Sequence, residues 1–283
     1  MSKQIIGIYH KDCVDGTSAA AVMLRKFPSA HLLPLSHTYT ASDIEPIINL
    51  AGVESEVFML DCALGVQELL KSGNSVTIID HHIGSYDEIN SIVHANPRVK
   101  YVFDNNKSGA SLAWVYFFPN QNEPELIKYV EDADLWRWTH GGETKHVNNY
   151  LSMFRNDPKT MLKILEGDLQ KVKEKGATIS ESTDREIASL VKLTSINIKI
   201  GKYIVPAYNI TVHESAVGNI LSEKRGKAVA IFIINGETVK LSFRSKEHHD
   251  PPALKLAKLL GGGGHKNAAG ATILRGDFIK MIQ

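Results

Sequence analysis

Along the first 110 residues, short apolar runs with polar tips alternate with segments whose apolar residues recur at helical spacing. The run "KQIIGIYHKD" leads into "GTSAAAVMLRKF", where small residues, Leu and Met share a helical face. "SEVFMLD" leads into "LGVQELLKSG", with Gly73 placed to cap the helix end, and "SVTIID" and "KYVFD" follow. Uninterrupted apolar strands alternating with helices predict βαβ units around a mainly parallel sheet buried on both faces. The N-terminal part is therefore expected to be a doubly wound α/β domain.

Beyond it, "SGASLAWVYFF", "EPELIKYVEDAD" and the long stretch from "PKTMLKIL" to "REIASLVKL" predict helices. The last becomes highly charged past Glu166, which marks residues 167–194 as a helical connector after a domain spanning 1–166. From 195 the pattern changes. "SINIKIGKYIVPAYNI" reads as a hairpin, residues 215–225 as a helix, and "KAVAIFIINGETVKLSFRS" as two strands around an Asn-Gly turn. With "PPALKLAKLL" and "GGGGHKNAAGATIL" after them, residues 195–283 are expected to form a smaller α+β domain.

Composition narrows the class without naming a chemistry. Hydrophobic residues make up 43% of the 283 and charged residues 22%, as in ordinary globular proteins. The longest apolar runs are strand-length, too short to span a bilayer, and the N-terminus leads directly into a strand, so a cytoplasmic protein without a membrane partner is expected. Two cysteines, Cys13 and Cys62, exclude a disulfide framework or a cysteine-rich zinc site; both are read as thiols packed beside a site. Residues 195–283 carry 13 Lys and Arg against 6 Asp and Glu, while the other 194 carry 19 against 25. That asymmetry suits a cleft with cations held on one side and an anion on the other. No long basic run is present, so long duplex nucleic acid is not an expected partner.

Three of the apolar runs end in acids: Asp12 and Asp15, Asp61, and Asp80, the last followed by His81 and His82. In an open α/β sheet, ligands bind outside the carboxyl ends of the strands. His10, Asp12, Asp15, Asp61, His81 and Asp132 together offer imidazole and carboxylate donors for a pair of divalent ions, manganese first and magnesium second. A carboxylate from the middle strand could bridge the two at about 3.5–4 Å, which makes Asp61 the bridging candidate and an activated water the nucleophile. Asp134 competes with Asp132 for its place in this set. Trp136 and Trp138 are read either as core residues holding Asp132 or as a platform for a base. "KSGAS" at 107–111 is either a phosphate-binding helix start or an ordinary N-cap, and His248 and His249 are read as surface residues. Four glycines before His265 and "NAAGA", taken as a helix start, suggest an anion-binding nest.

The motifs "HKDCVDG" at 10–16, "LD" at 60–61, "DHH" at 80–82, "EDADLW" at 131–136 and "GGGGHKNAAG" at 261–270 resemble, in order, those of the DHH phosphoesterases with a C-terminal associated domain. The resemblance implies His10, Asp12 and Asp61 around one metal, and Asp15, Asp61, His81 and Asp132 around the other; it prefers Asp132 to Asp134 because the family ligand precedes an aromatic by four residues, as Asp132 precedes Trp136. It implies that His82 faces the scissile phosphate, that Asp80 orients the imidazoles, and that His265, Gly262, Gly263, Gly264 and Arg244 bind a substrate phosphate. The first motif departs from the family pattern, because both Cys13 and Val14 separate its two aspartates. The expected activity is hydrolysis of short single-stranded oligonucleotides, linear dinucleotides included, by two-metal-activated water, as in the nanoRNases. Polyphosphate, cyclic nucleotides and adenosine 3′,5′-bisphosphate are the alternative substrates, and a non-catalytic nucleotide-sensing module is the alternative of another class. A second copy of the chain, as a homodimer, is the candidate protein partner.

Overall fold

The computed structural model describes residues 4–36 and 39–283. The first three residues, on which the expectation of a direct N-terminal start rested, lie outside that range. Two compact units part between Ser180 and Glu181.

The first unit opens with strand β1 (Ile5–His10), helix α1 (Val14–Lys26), β2 (His31–Leu35), α2 (Ala41–Ala51) and β3 (Glu56–Leu60). It continues through α3 (Val66–Lys71), β4 (Ser75–Asp80), α4 (Tyr86–Ala95) and β5 (Val99–Phe103). The five strands are all parallel in the order β2-β1-β3-β4-β5. Pro34 is accommodated because β2 is an edge strand, where a missing ladder donor costs least. Side chains alternate faces: Ile6, Ile8, Val57, Met59 and Ile78 pack with α2, α3 and α4, whereas Tyr9, Phe58, Leu60 and Ile79 pack on the opposite side. That second side is covered by α1 with α5 (Gly109–Phe117), α6 (Glu125–Asp134), α7 (Gly142–Leu151) and α8 (Pro158–Leu165). The doubly wound expectation is met.

Register explains why the polar strand tips meet. Tyr9, Leu60 and Ile79 lie on one rung of β1, β3 and β4, so His10, Asp61 and Asp80 follow together at the C-terminal edge. Helix α1 approaches this sheet closely because Ala19, Ala20 and Ala21 present no bulk. Helix α9 (Leu169–Leu190) follows, and the division between the units falls inside it. At its N-terminal half, Gly176 crosses α7 so tightly that an added Cβ would sit 2.0 Å from the His146 carbonyl oxygen.

The second unit contains β6 (Ile196–Ile200), β7 (Tyr203–Asn209), α10 (Glu214–Arg225), β8 (Val229–Asn235) and β9 (Thr238–Arg244). After these come α11 (Ala253–Leu259), β10 (Gly263–His265), β11 (Ala268–Leu274) and α12 (Arg275–Met281). Its mixed sheet has the order β10-β11-β9-β8-β7-β6, parallel only between β7 and β8. Val217 and Leu221 of α10 pack with Tyr208, Val229 and Ile231 on one face, while Ala253, Leu256 and Phe278 of α11 and α12 pack on the other. The "NAAGA" segment is therefore a strand, not the start of a helix: Ala269 and Ala271 sit buried in alternation along β11. Among the described residues, no helix is long and apolar enough to cross a membrane.

Candidate metal centre and anion site

Asp61 follows β3 with φ of +58°, and Asp12 follows β1 with φ of +59°. Both occupy the left-handed region that Asp tolerates better than most residues, at the sheet edge where such conformations collect in functional sites. The Asp61 side chain is 1% exposed. Its Oδ1 lies 3.1 Å from His81 Nε2 and 3.8 Å from His82 Nδ1, and its Oδ2 lies 3.4 Å from His10 Nδ1. His81 Nε2 also stands 3.8 Å from Asp15 Oδ2 and 3.4 Å from Asp134 Oδ2. Three carboxylates thus converge on one imidazole nitrogen. Two sets of ligand-type groups result, His10 with Asp61 and His82, and Asp15 with His81 and Asp134.

The electrostatics follow from this crowding. Burial and the neighbouring Asp61 and Asp134 push the Asp15 carboxyl well above its usual range. Asp134 is pushed up to about 6 by burial and by Asp61. Burial acts to raise Asp61 as well, but His10 and His81 hold it below the ordinary carboxylate range. His81 is raised to about 9: burial opposes its charge, and Asp61, Asp15 and Asp134 outweigh that penalty. Such an arrangement suits cations. A single imidazolium proton serves three carboxylates poorly, and Asp61 Oδ2 is buried while accepting no well-formed hydrogen bond. Mixed nitrogen and oxygen donors without thiolate match divalent ions of the manganese and magnesium kind. Cys13 does not compete, since burial and Asp61 push its thiol well up and keep it protonated.

The helix start at "KSGAS" has a different ligand from the phosphate entertained above. Ser108 caps α5, and the N–H groups of Gly109 and Ala110 donate to Asp15 Oδ2 and Oδ1 at 2.6 and 2.9 Å. Here the positive end of the helix holds one of the protein's own carboxylates. Gly109 is obligatory for the fit, because a Cβ there would lie 2.6 Å from Asp61 Cβ. Asp80 is buried and accepts from the His81 and His82 backbone N–H groups, from His82 Nδ1 at 2.7 Å and from Ser85 Oγ. It orients the His82 ring; the His81 ring is oriented by Asp61.

The preference for Asp132 over Asp134 is corrected by the geometry. Asp132, 3% exposed, accepts from Thr139 N and Oγ1, His140 N and Thr144 Oγ1, which lower its carboxyl to about 2 against the opposing effect of burial. It points into the turn between α6 and α7, and Asp134 is the residue that reaches His81. Asp12 stands apart from both ligand sets: its Oδ1 accepts from Asn156 Nδ2 at 2.5 Å while its own N–H donates to Asn156 Oδ1 at 2.8 Å. Asn156, 144 residues away in sequence, could not be found from spacing. Trp136 is 63% exposed and so is not a core residue, and Trp138 is half-buried. His249, 7% exposed, is no surface residue either: its Nδ1 accepts from Lys246 N and lies 3.3 Å from Ser222 Oγ.

In the second unit, strand register aligns the expected anion ligands. Arg244 pairs with Ala268, which pairs with His265, so the two basic side chains project from the same face two strands apart. Arg244 donates to Ser215 Oγ at 2.7 Å and to the Phe243 carbonyl at 2.8 Å. Gly218 of α10 makes room for it, since a Cβ there would lie 2.8 Å from Arg244 Cγ. The glycine run is an edge strand rather than a nest. Gly262 N–H is already spent on the Ala257 carbonyl at 2.9 Å, and Gly262 and Gly264 pack against β11, whereas Gly263 faces open space.

Residues 201–283 match the family described as the DHHA1 domain. An uncharacterised protein of Acanthamoeba polyphaga mimivirus is 23% identical over 289 residues, an alignment covering 93% of this chain and 66% of that protein. RecJ from Thermus thermophilus in complex with Mn2+ superposes with a TM-score of 0.59 at 16% identity, over 98% of this chain and 50% of that one. The pGpG-specific phosphodiesterase PggH from Vibrio cholerae gives 0.58 at 11% identity, over 98% and 96%. A manganese-bound exonuclease RecJ gives 0.53 at 15%, over 98% and 88%. The chain thus spans about two thirds of the mimivirus protein and half of the Thermus RecJ. At these identities the likeness is one of fold: the chain has the α/β architecture of the RecJ proteins, and its residues 201–283 match the DHHA1 domain.

Proposed function

We propose that this chain is a metal-dependent phosphoesterase of the DHH family that hydrolyses phosphodiester bonds in short oligonucleotides, linear dinucleotides included. The observation that carries the reading is Asp61, one buried carboxylate in contact with His10 on one side and His81 on the other. His10 and Asp61, with Asp12 at the rim, would hold one divalent ion. Asp15, Asp61, His81 and Asp134 would hold the other. Manganese or magnesium bound there supplies Lewis-acid stabilisation of the charge that builds on the phosphate. His82 is kept for the proton: the ring nitrogen nearest Asp61 is Nδ1, which already donates to Asp80, so Nε2 serves the leaving oxygen. Burial disfavours its charge, but Asp80 and Asp61 raise its pKa and favour the protonated ring this role requires. In the second unit, Arg244 and His265 with the open Gly263 backbone would hold a further phosphate. Manganese in the two RecJ structures and the dinucleotide named for the Vibrio enzyme accord with this reading.

The test is product analysis with the purified chain and manganese. The panel is a linear diribonucleotide, a longer RNA, short polyphosphate, adenosine 3′,5′-bisphosphate and cyclic mononucleotides. The expected result is conversion of the dinucleotide to mononucleotides, lost on Asp61→Asn. Preference for polyphosphate or a cyclic nucleotide would replace the substrate. Absence of any turnover with manganese bound would favour the nucleotide-binding module.

A further inference from the structure

Beside the ligand sets, within the first unit, lies a cavity of about 280 Å³ whose polar lining is Asp12, Asp15, Asp134, Trp136, Asn148 and Arg155. Three carboxylates alone would repel a phosphate. Arg155 is the cationic side chain of the lining, and it is exposed. Among the described residues, neither its guanidinium nor the Asn148 amide has a hydrogen-bond or ion-pair partner. Trp136, which also lines the cavity, is 63% exposed.

That exposure is built. Trp136 and Trp138 both adopt φ of +56°, unusual for such bulky residues. The turn holding them is fastened throughout. Trp136 N–H donates to Ala133 O and Arg137 N–H to Asp132 O, at 3.2 and 2.9 Å. Arg137 further donates to Glu131 and to the Asn106 carbonyl, and the Asp132 carboxylate takes up the turn's other end at Thr139 and His140. Trp138 props Trp136 edge-on, with centroids 5.0 Å apart and planes at 81°. A large indole is thereby held out beside the acid cluster instead of being folded into the core.

Resting on the phosphoesterase reading above, we propose that this cavity is the seat of one nucleotide of the substrate. Trp136 stacks its base, Asn148 pairs with the base edge, and Arg155 holds a phosphate oxygen. An aromatic face accepts any base, an amide offers both a donor and an acceptor, and guanidinium matches phosphate geometry. The seat therefore favours nucleotides over phosphoesters that lack a base.

The experiment is calorimetric titration of the manganese-loaded full chain with AMP and with ribose 5-phosphate. AMP is expected to bind at least about tenfold tighter than ribose 5-phosphate, the equivalent of one stacked base. Trp136→Ala abolishes that difference by weakening AMP, and Trp136→Phe retains most of it. Arg155→Gln weakens both probes. Equal affinity of the wild-type chain for the two probes, or unchanged AMP binding by Trp136→Ala, overturns the seat. Failure of the phosphoesterase reading is seen separately, as absent turnover of every phosphoester, and leaves these titrations readable.

Discussion

Asp132 and Asp134 show how finely the site is specified at the scale of a residue. Two positions apart on a helix, they project about 200° from one another, so only one can face the sheet edge. Asp134 reaches His81, and Asp132 turns inward to bind the α6–α7 turn. Their variants are expected to separate accordingly. Asp134→Asn weakens manganese binding with little change in melting temperature. Asp132→Asn leaves buried donors poorly matched and lowers stability by about 1–3 kcal/mol. Calorimetric titration and thermal unfolding of both variants check the contrast, and equal loss of metal affinity at equal stability would refute it. His10, Asp61 and His81 were legible as candidates because each sits at or next to a strand tip, and Asp15 because it opens the helix that follows β1. Asp134 was not, because helix rotation is set by packing, and the pattern of residues along α6 leaves it open.

At the scale of elements, the site is the meeting of three strand ends with the start of α5. The helix gives Asp15 two N–H donors, and its first residue has no side chain because Asp61 occupies that space. Gly109→Ala is therefore expected to push α5 off the sheet edge, costing about 1–3 kcal/mol as other overpacked substitutions do. It should also abolish manganese binding, because both Asp15 and Asp61 must move. Chemical denaturation alongside metal titration tests this; a variant that binds manganese normally would show the contact to be slack. Most strands and helices could be read from apolar periodicity; β2, a partly exposed edge strand containing Pro34, was not, and neither were β10 and β11. Glycines and alanines carry little strand preference, and it is pairing with β9 that makes them a sheet edge.

For the molecule as a whole, the cluster is expected to tie stability to pH and to the divalent ions proposed to bind there. Without metal, Asp134 has a folded pKa above its ordinary 3.8, so it costs stability as pH rises through about 6. His81, raised from 6.5 to about 9, contributes stability below pH 6.5 that is lost as pH rises through 9. Both must give up a proton to ligate a cation. Manganese should accordingly raise the melting temperature of the full chain more at pH 8 than at pH 5, with proton release on binding. Scanning calorimetry at the two pH values checks the sign, and a larger shift at pH 5 would contradict the ligand assignment. The charge asymmetry belongs to this scale too: residues 1–194 are net acidic and 195–283 net basic, as the proposed placing of cation and anion ligands would require.

What the sequence determined by itself was the doubly wound architecture, the smaller second domain and the chemical character of the strand tips. Each of these follows from local periodicity and from residue type at the carboxyl end of a strand. Only the tertiary structure decided which of two aspartates joins the cluster, that Asn156 holds Asp12 and that α5 serves Asp15. It also decided that Trp136 stands exposed beside a cavity with Arg155 and Asn148. Those contacts join residues far apart in the chain or choose one face of a helix over another. Packing sets both, and a one-dimensional pattern does not encode them.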